Sequence, residues 1–177
     1  MSPERARGQT RGDVRDWLAL FGWIALSLSA GAVGAVASLN AREFYATLNK
    51  PIWAPPGWLF GPVWTVLYVL MGVSAWLVWR EPASAGNATT TLRRRALVLF
   101  VVQLVLNALW TWLFFRWQRG ALSAVEIVAL WLLIAWLIAL FARMGRVAAW
   151  LLVPYLVWVT YAAALTFALW RANADRL

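Results

Sequence analysis

The side chains best suited to chemistry in this chain are aromatic rings and amides, because the sequence contains no histidine and no cysteine. The usual nitrogen and sulfur ligands of haem iron, zinc and copper are therefore missing. The nucleophile and base pairs of cysteine and serine-histidine hydrolases are missing as well. The 177 residues include 15 tryptophans, most of them in or beside long apolar runs. Such an aromatic surface favours stacking on a flat apolar ligand, and it indicates binding rather than hydrolysis.

Three pairs of side chains are spaced four residues apart in apolar segments, so each pair shares one face of a predicted helix. The pairs are Trp64 with Tyr68, Gln103 with Asn107, and Trp158 with Ala162. For the aromatic pairs, ordinary helix packing is the alternative to a role in binding. The two amides need polar partners inside an apolar segment. Hydrogen bonds between helices and contacts to polar groups of a ligand are the two alternatives for them.

The composition places the chain in a membrane. Apolar residues make up 63% and charged residues 13% of the sequence, against roughly 45–50% and 25% in soluble domains. A lone soluble domain of this size cannot bury so much apolar surface, whereas a bilayer covers it. The formal net charge of +9 comes from arginines at segment ends. This pattern indicates membrane topology and anionic headgroups rather than nucleic-acid binding.

Five apolar segments are long enough to cross a bilayer, which requires roughly 20 mostly apolar residues. They are Trp17–Leu39, Pro62–Trp79, Ala96–Phe115, Ala121–Phe141 and Val147–Trp170. Breaks at 81–91, 116–120 and 142–146 separate the last four. Short breaks force antiparallel neighbours, so the predicted fold is one all-α bundle of five transmembrane helices. We divide the chain into an arginine-rich tail (1–16), the membrane domain (17–171) and a short C-terminal tail (172–177).

The first span has some features of a cleavable signal peptide, since arginines precede it and Ala35-Val36-Ala37 resembles a cleavage site. We favour a retained helix, because the apolar part is longer than a usual signal core. Small residues such as Gly31 and Gly34 also recur at spacings of three and four, which suits close helix packing in lipid. The topology divides the 16 basic residues into ten on the N-terminal side and six on the other. The positive-inside rule then predicts a cytoplasmic N-terminus.

The connection between the first two spans, residues 40–61, is unusually aromatic and rich in proline. Five aromatic side chains alternate with Pro51, Pro55, Pro56 and Gly57. Prolines restrict the backbone, so such a segment keeps one shape at low entropic cost. An interfacial aromatic belt is the alternative. We favour a folded lid over a cavity, because a belt alone does not need three prolines within six residues.

The same connection carries a recognisable motif. Phe44-Tyr45 followed by Leu48-Asn49-Lys50-Pro51-Ile52-Trp53-Ala54-Pro55-Pro56 resembles the signature of the TspO/translocator-protein family, the tryptophan-rich sensory proteins. The resemblance continues, in the same order along the chain, through residues 61–68, 103–115, 153–158 and 165–171. It implies a five-helix bundle, usually a homodimer, with a ligand pocket under the first loop. The implied location is the bacterial cell membrane, with the outer membrane as the alternative.

The resemblance also implies the ligand and the residues that bind it. Known ligands of the family include porphyrins, notably protoporphyrin IX, and no other cofactor is required. The implied binding residues are Tyr45, Trp53 and Pro55 of the loop, Trp64 and Tyr68 of the second span, Gln103, Asn107 and Trp110 of the third, and Trp158 and Ala162 of the fifth. Light-dependent breakdown of protoporphyrin is described for bacterial members, and Trp64 and Trp158 are the candidate residues for it. Transport of a tetrapyrrole or lipid is a third hypothesis.

Two further expectations concern charge and metal. We predict no metal site in the protein, so metal-free porphyrin should bind at least as well as haem. Glu126 is the only acidic residue inside a predicted span, and intramembrane carboxylates are often functional. It follows the start of its helix by about two turns, where pairing with Arg119 or the interface is expected. A role in ligand binding or proton transfer is the alternative.

Overall fold

The structure, a computed structural model, describes residues 3–81 and 86–177, with side chains described for 14–81 and 90–177. Within these ranges the chain is helical and contains no strand. The α-helices are α1 (Pro3–Ala37), α2 (Ala41–Thr47), α3 (Phe60–Arg80), α4 (Gly86–Thr111), α5 (Gly120–Ala142) and α6 (Arg146–Ala172). A 3₁₀ turn (Gly57–Leu59) precedes α3, and a π-helical turn (Trp112–Arg116) extends α4.

Five of these helical segments are long and apolar enough to cross a membrane, which confirms the predicted five-span bundle. They are Val14–Ala37, Gly57–Arg80, Thr90–Arg116, Gly120–Ala142 and Arg146–Ala172. Many apolar side chains on their outer faces are exposed, including Phe21, Val105, Val125 and Trp150. Exposed apolar residues in such numbers are stable only against lipid.

The helix boundaries differ from the predicted ones where polar residues continue a helix. Gly86–Thr91 was predicted as loop but forms the start of α4, and Arg116 was predicted in a turn but ends the π-helical turn. Hydropathy marks the apolar layer, whereas a helix extends for as long as its backbone hydrogen bonds continue. The reversal after α4 is therefore confined to 117–119, where Gln118 adopts a positive φ of 53°.

The bundle has two ends of different composition. The lid end contains residues 40–61, the turn at 117–119 and the C-terminus. The arginine end contains the first turns of α1, the start of α4 with Arg93, Arg94 and Arg95, and the turn at 143–145. The main core fills the bundle between these ends with residues such as Met71, Phe100 and Ile134, all fully buried. A smaller core under the lid is formed by Tyr45, Leu48, Phe114, Leu165 and Leu169.

The first span packs closely on the second, as the small residues predicted. Extensive contacts join α1 to α3 and to α4, so α1 is an integral part of the bundle. The two backbones approach each other closely at Gly72 of α3, where an added Cβ atom would lie 2.6 Å from the Cα atom of Ile24. Only glycine permits this backbone separation, because the atom it would meet is itself backbone and cannot rotate away.

We expect Gly72→Ala to destabilise the bundle by roughly 1–3 kcal/mol, because α1 must move away from α3 to accommodate the methyl group. Gly22→Ala is the matched control, since an added Cβ at Gly22 meets nothing within 4 Å. That change should be neutral or stabilising by up to about 1 kcal/mol through helix propensity. Thermal unfolding in detergent, followed by circular dichroism, measures both. Equal loss of stability in the two variants would contradict this account of the interface.

Candidate functional site

A cavity of about 510 Å³ lies at the lid end, between α1, α3, the end of α4 and the lid. Its α1 wall is built from small residues, among them Gly31, Gly34 and Ala35, and α3 contributes Trp64 and Tyr68 opposite. The α1 wall must be small because an added Cβ at Gly31 would lie 2.5 Å from the Tyr68 ring. The small residues of α1 therefore shape the cavity.

Aromatic rings form much of the remaining wall. Trp64 stacks on Tyr68 with ring centroids 5.5 Å apart. Its ring centroid also lies 6.1 Å from that of Tyr155, in an edge-to-face arrangement. Trp110 also lines the cavity and stacks on Phe114 at 5.5 Å. These ring pairs hold one another in place, so the cavity presents ordered aromatic surfaces of the kind that accept a flat apolar molecule.

Two groups at the cavity can recognise a polar part of a ligand. The indole N–H of Trp110 is buried and has no hydrogen-bond partner among the described residues. An unpaired buried donor costs about 1–3 kcal/mol, which a ligand acceptor would offset. Arg42 of α2 is the only charged residue among those that line the cavity, and its side chain is exposed at the rim. A carboxylate at the edge of a ligand would meet it there.

The two predicted amides form hydrogen bonds between helices. The Tyr68 hydroxyl donates to Asn107 Oδ1 at 2.5 Å, and Asn107 Nδ2 donates to the Tyr155 hydroxyl at 3.1 Å. The Tyr155 hydroxyl in turn donates to Gln103 Oε1 at 2.9 Å. Gln103 and Asn107 are buried and lie behind the cavity wall. This polar network joins α3, α4 and α6, and Tyr68 connects it to the cavity.

The structure brings four of the ten predicted binding residues together around the cavity, namely Tyr45, Trp64, Tyr68 and Trp110. The other six lie outside its lining. The amides of Gln103 and Asn107 lie behind the cavity wall. Trp53 and Pro55 lie in the lid, and Ala162 is buried in the main core. Trp158 packs beneath the lid against Phe60, with ring centroids 6.0 Å apart, and its buried indole N–H has no partner among the described residues.

The lid is held by hydrogen bonds to its own carbonyl groups. The Tyr45 hydroxyl donates to the carbonyl of Pro55 at 3.2 Å, and the Tyr161 hydroxyl donates to the carbonyl of Trp53 at 2.9 Å. Burial, with a smaller contribution from Tyr161, raises the pKa of Tyr45 above its usual value. Tyr45 therefore remains a protonated donor throughout the physiological pH range. Residues 40–61 thus form a folded lid with a short helix, α2, inside it.

Asn173 fixes the lid to the end of α6. Its Oδ1 accepts from the backbone N–H of Asn49 at 2.8 Å, and its Nδ2 donates to the carbonyls of Asn49 at 3.1 Å and Leu169 at 2.8 Å. Arg176 also donates to the carbonyl of Thr47 at 3.2 Å. Residues 173–177, which form most of the predicted C-terminal tail (172–177), therefore lie at the lid end. Sequence reasoning missed Asn173, because its partner Asn49 is distant in the chain, and Arg42, because no local pattern shows that it lies at the rim of a cavity.

The expected pairing of Glu126 was wrong. Its side chain is 8% exposed, and both carboxylate oxygens are buried with no hydrogen-bond partner among the described residues. Arg119 lies seven residues earlier, about 10 Å away along the helix axis, at the exposed end of α5. Glu126 faces the bundle instead, so the two side chains point into different environments.

We expect Asn173→Ala to loosen the lid while leaving the bundle folded. The change removes three hydrogen bonds, of which two join the lid to α6, and each bond contributes about 0.5–1.5 kcal/mol. Hydrogen–deuterium exchange of residues 40–61 should therefore accelerate by about tenfold or more, with α3 and α5 unchanged. Asn40→Ala is the control, because the Asn40 side chain makes no capping bond and is exposed. Unchanged exchange in Asn173→Ala would show that other contacts hold the lid.

Comparison with known proteins agrees with this architecture. A sequence profile described as the TspO/MBR family matches residues 23–171. Protein CrtK of Rhodobacter capsulatus is 40% identical over 144 residues, which cover 81% of this chain and 86% of that protein. The tryptophan-rich protein TspO of Archaeoglobus fulgidus is 35% identical over 155 residues, covering 85% and 96%. The human translocator protein is 31% identical over 131 residues, covering 74% and 75%. The chain therefore belongs to the TspO/MBR family of multi-pass membrane proteins.

Proposed function

We propose that this protein is a membrane sensory or regulatory protein that binds a porphyrin of the protoporphyrin IX type in the cavity at the lid end. The observation that supports this most directly is an aromatic cavity with one cation at its rim. Porphyrins are also the ligands that the sequence resemblance implies. The arginine distribution supports placing the protein in the cell membrane with the N-terminus in the cytoplasm.

Apolar burial and ring contacts supply most of the affinity in this proposal. The volume of about 510 Å³ falls within the range of roughly 300–1,000 Å³ that is usual for small-molecule pockets. A porphyrin is a flat apolar disc with carboxylates on one edge. Trp64 and Trp110 offer ring surfaces to such a disc, and the small residues of α1 leave room beside them. The lid, anchored by Tyr45 and Asn173, would cover one side of the bound ligand.

The polar edge of the ligand would meet Arg42. The side chain of Arg42 makes no hydrogen bond or ion pair with another described residue, whereas Lys50 nearby donates to the carbonyl of Tyr45 at 2.9 Å. Arg42 is therefore available for a carboxylate, while Lys50 is occupied within the lid. The unpaired N–H of Trp110 offers a second polar contact deeper in the cavity.

Arg42→Gln should weaken protoporphyrin IX about two- to fivefold, as expected for an ion pair at an exposed rim. It should leave the dimethyl ester of the same porphyrin unaffected, because the ester has no charge to pair. Titrations of purified protein, followed by the shift of the porphyrin absorption band, measure both affinities. Arg119→Gln is the control, since Arg119 is exposed at the same end of the bundle but does not line the cavity. An equal loss for acid and ester would rule out carboxylate recognition by Arg42.

Trp64→Ala tests the aromatic wall. Ring contacts contribute about 0.5–1.5 kcal/mol beyond burial, so affinity should fall several-fold to tenfold, and in parallel for metal-free and iron porphyrin. Trp150→Ala is the matched control, because Trp150 is 70% exposed on the outer face of α6. The same absorption titrations apply. A clear preference for haem, with a spectrum typical of axial ligation, or an equal effect of both substitutions would refute porphyrin binding by stacking in this cavity.

Light-dependent degradation of the bound porphyrin is the second candidate function, and the position of Trp64 favours it. Trp64 is an oxidisable side chain in the cavity wall, in ring contact with Tyr68 and Tyr155. Trp158, the other candidate, lies outside the cavity lining. Illuminating the complex under controlled oxygen and following loss of the porphyrin spectrum separates degradation from binding alone.

A further inference from the structure

Two grooves flank the start of α4 at the arginine end, far from the lid. One lies beside α1 and α3 and has a volume of about 570 Å³, and the other lies beside α5 and has a volume of about 700 Å³. Thr90, Arg94 and Val98 line both grooves. These three residues are spaced four apart and form a ridge along one face of α4. Arg94 therefore lies between the two grooves and borders both of them.

Each groove is polar at its top and apolar below. Thr90 and the arginines lie at the outer end of α4, whereas Val98 and Val101 line the deeper part beside Trp23. On the other side, Leu99 is joined by Trp136 and Leu140 of α5. From Arg94 to Val102 the helix rises about 12 Å, which compares with about 15 Å for half of the hydrocarbon core. This gradient matches a phospholipid, with its headgroup at the surface and its acyl chains below.

Two arginines at the top of the grooves have no partner of opposite sign among the residues whose side chains are described. Arg94 and Arg95 are exposed, and they form no hydrogen bond or ion pair with the other described residues. Arg93 donates to the carbonyls of Glu81 at 2.6 Å and Trp79 at 3.4 Å, which fixes the start of α4. The sequence from 82 to 92 contains no acidic residue. Two neighbouring guanidinium groups are thus free to bind a phosphate in a bidentate manner.

We propose that this end of the protein is a specific binding site for an anionic glycerophospholipid. Its phosphate binds Arg94 and Arg95, and its acyl chains occupy the grooves on either side of the Thr90–Arg94–Val98 ridge. The indole of Trp79 forms part of one groove, and the guanidinium of Arg15 lies 5.4 Å from its ring centroid, which holds that wall in place. The site is separate from the lid-end cavity and does not depend on what that cavity binds.

Lipid retention in nanodiscs tests this site. The protein is reconstituted in mixtures of phosphatidylglycerol and phosphatidylcholine, and the lipid that stays bound after gentle extraction is identified by native mass spectrometry. We expect wild type to retain phosphatidylglycerol selectively. In the double variant Arg94→Gln/Arg95→Gln this preference should fall by about tenfold or more, because the charge-assisted hydrogen bonds of both guanidinium groups to the phosphate are lost.

Arg143→Gln/Arg146→Gln is the matched control, since it removes the same charge from exposed positions at the same end, outside both grooves. This control variant should retain the selectivity for phosphatidylglycerol. Trp136→Ala should reduce retention of the lipid without changing the charge, and glycerol phosphate, which has no acyl chains, should not compete. Circular dichroism and size-exclusion profiles verify that each variant is folded. Equal loss in the two arginine pairs, or no preference in wild type, would overturn the proposal.

Discussion

The constraint on which this structure depends is the need to satisfy polar groups where no water is available. Inside the bilayer, each amide and hydroxyl must find its partner within the protein. Four side chains satisfy one another in a continuous chain of hydrogen bonds. Tyr68 donates to Asn107, Asn107 donates to Tyr155, and Tyr155 donates to Gln103. Because the four residues come from three helices, the network sets the positions of α3, α4 and α6 relative to one another. Apolar packing alone would tolerate several arrangements of such helices.

The cavity follows from this arrangement. Tyr68 bonds to the network through its hydroxyl and lines the cavity with its ring, so the network fixes the position of this part of the wall. The absence of a side chain at Gly31 and Gly72 lets α1 approach α3, and this brings the small residues of α1 opposite Trp64. The lid then covers one end of this space and is fixed to α6 by Asn173. A polar core, small residues in one helix and a bonded lid therefore form the aromatic cavity together.

Among the described residues, a few buried polar side chains have no hydrogen-bond partner, and their positions are informative. The N–H groups of Trp110 and Trp158 lie near the lid end, one in the cavity wall and the other beneath the lid. Buried groups without partners are costly, and such groups are common where a ligand completes the structure. Glu126 is the exception, because it lines none of the three cavities described above. At the opposite end, the groups without a partner among the described residues are the guanidinium groups of Arg94 and Arg95, which border two open grooves.

The sequence by itself determined the class of the protein, its five spans and its lid. Hydropathy over 20 residues depends only on local composition, and the prolines and aromatic residues of 40–61 restrict their own backbone. The spacing of four residues also showed that Trp64 shares a face with Tyr68, and Gln103 with Asn107. Spacing does not show what that face meets. Only the tertiary structure decided that Trp64 faces a cavity, that the amides face other helices, and that Glu126 turns away from Arg119. Arg42 and Asn173 were found only there, because their roles depend on the rotation and separation of helices distant in the chain, which no local pattern encodes.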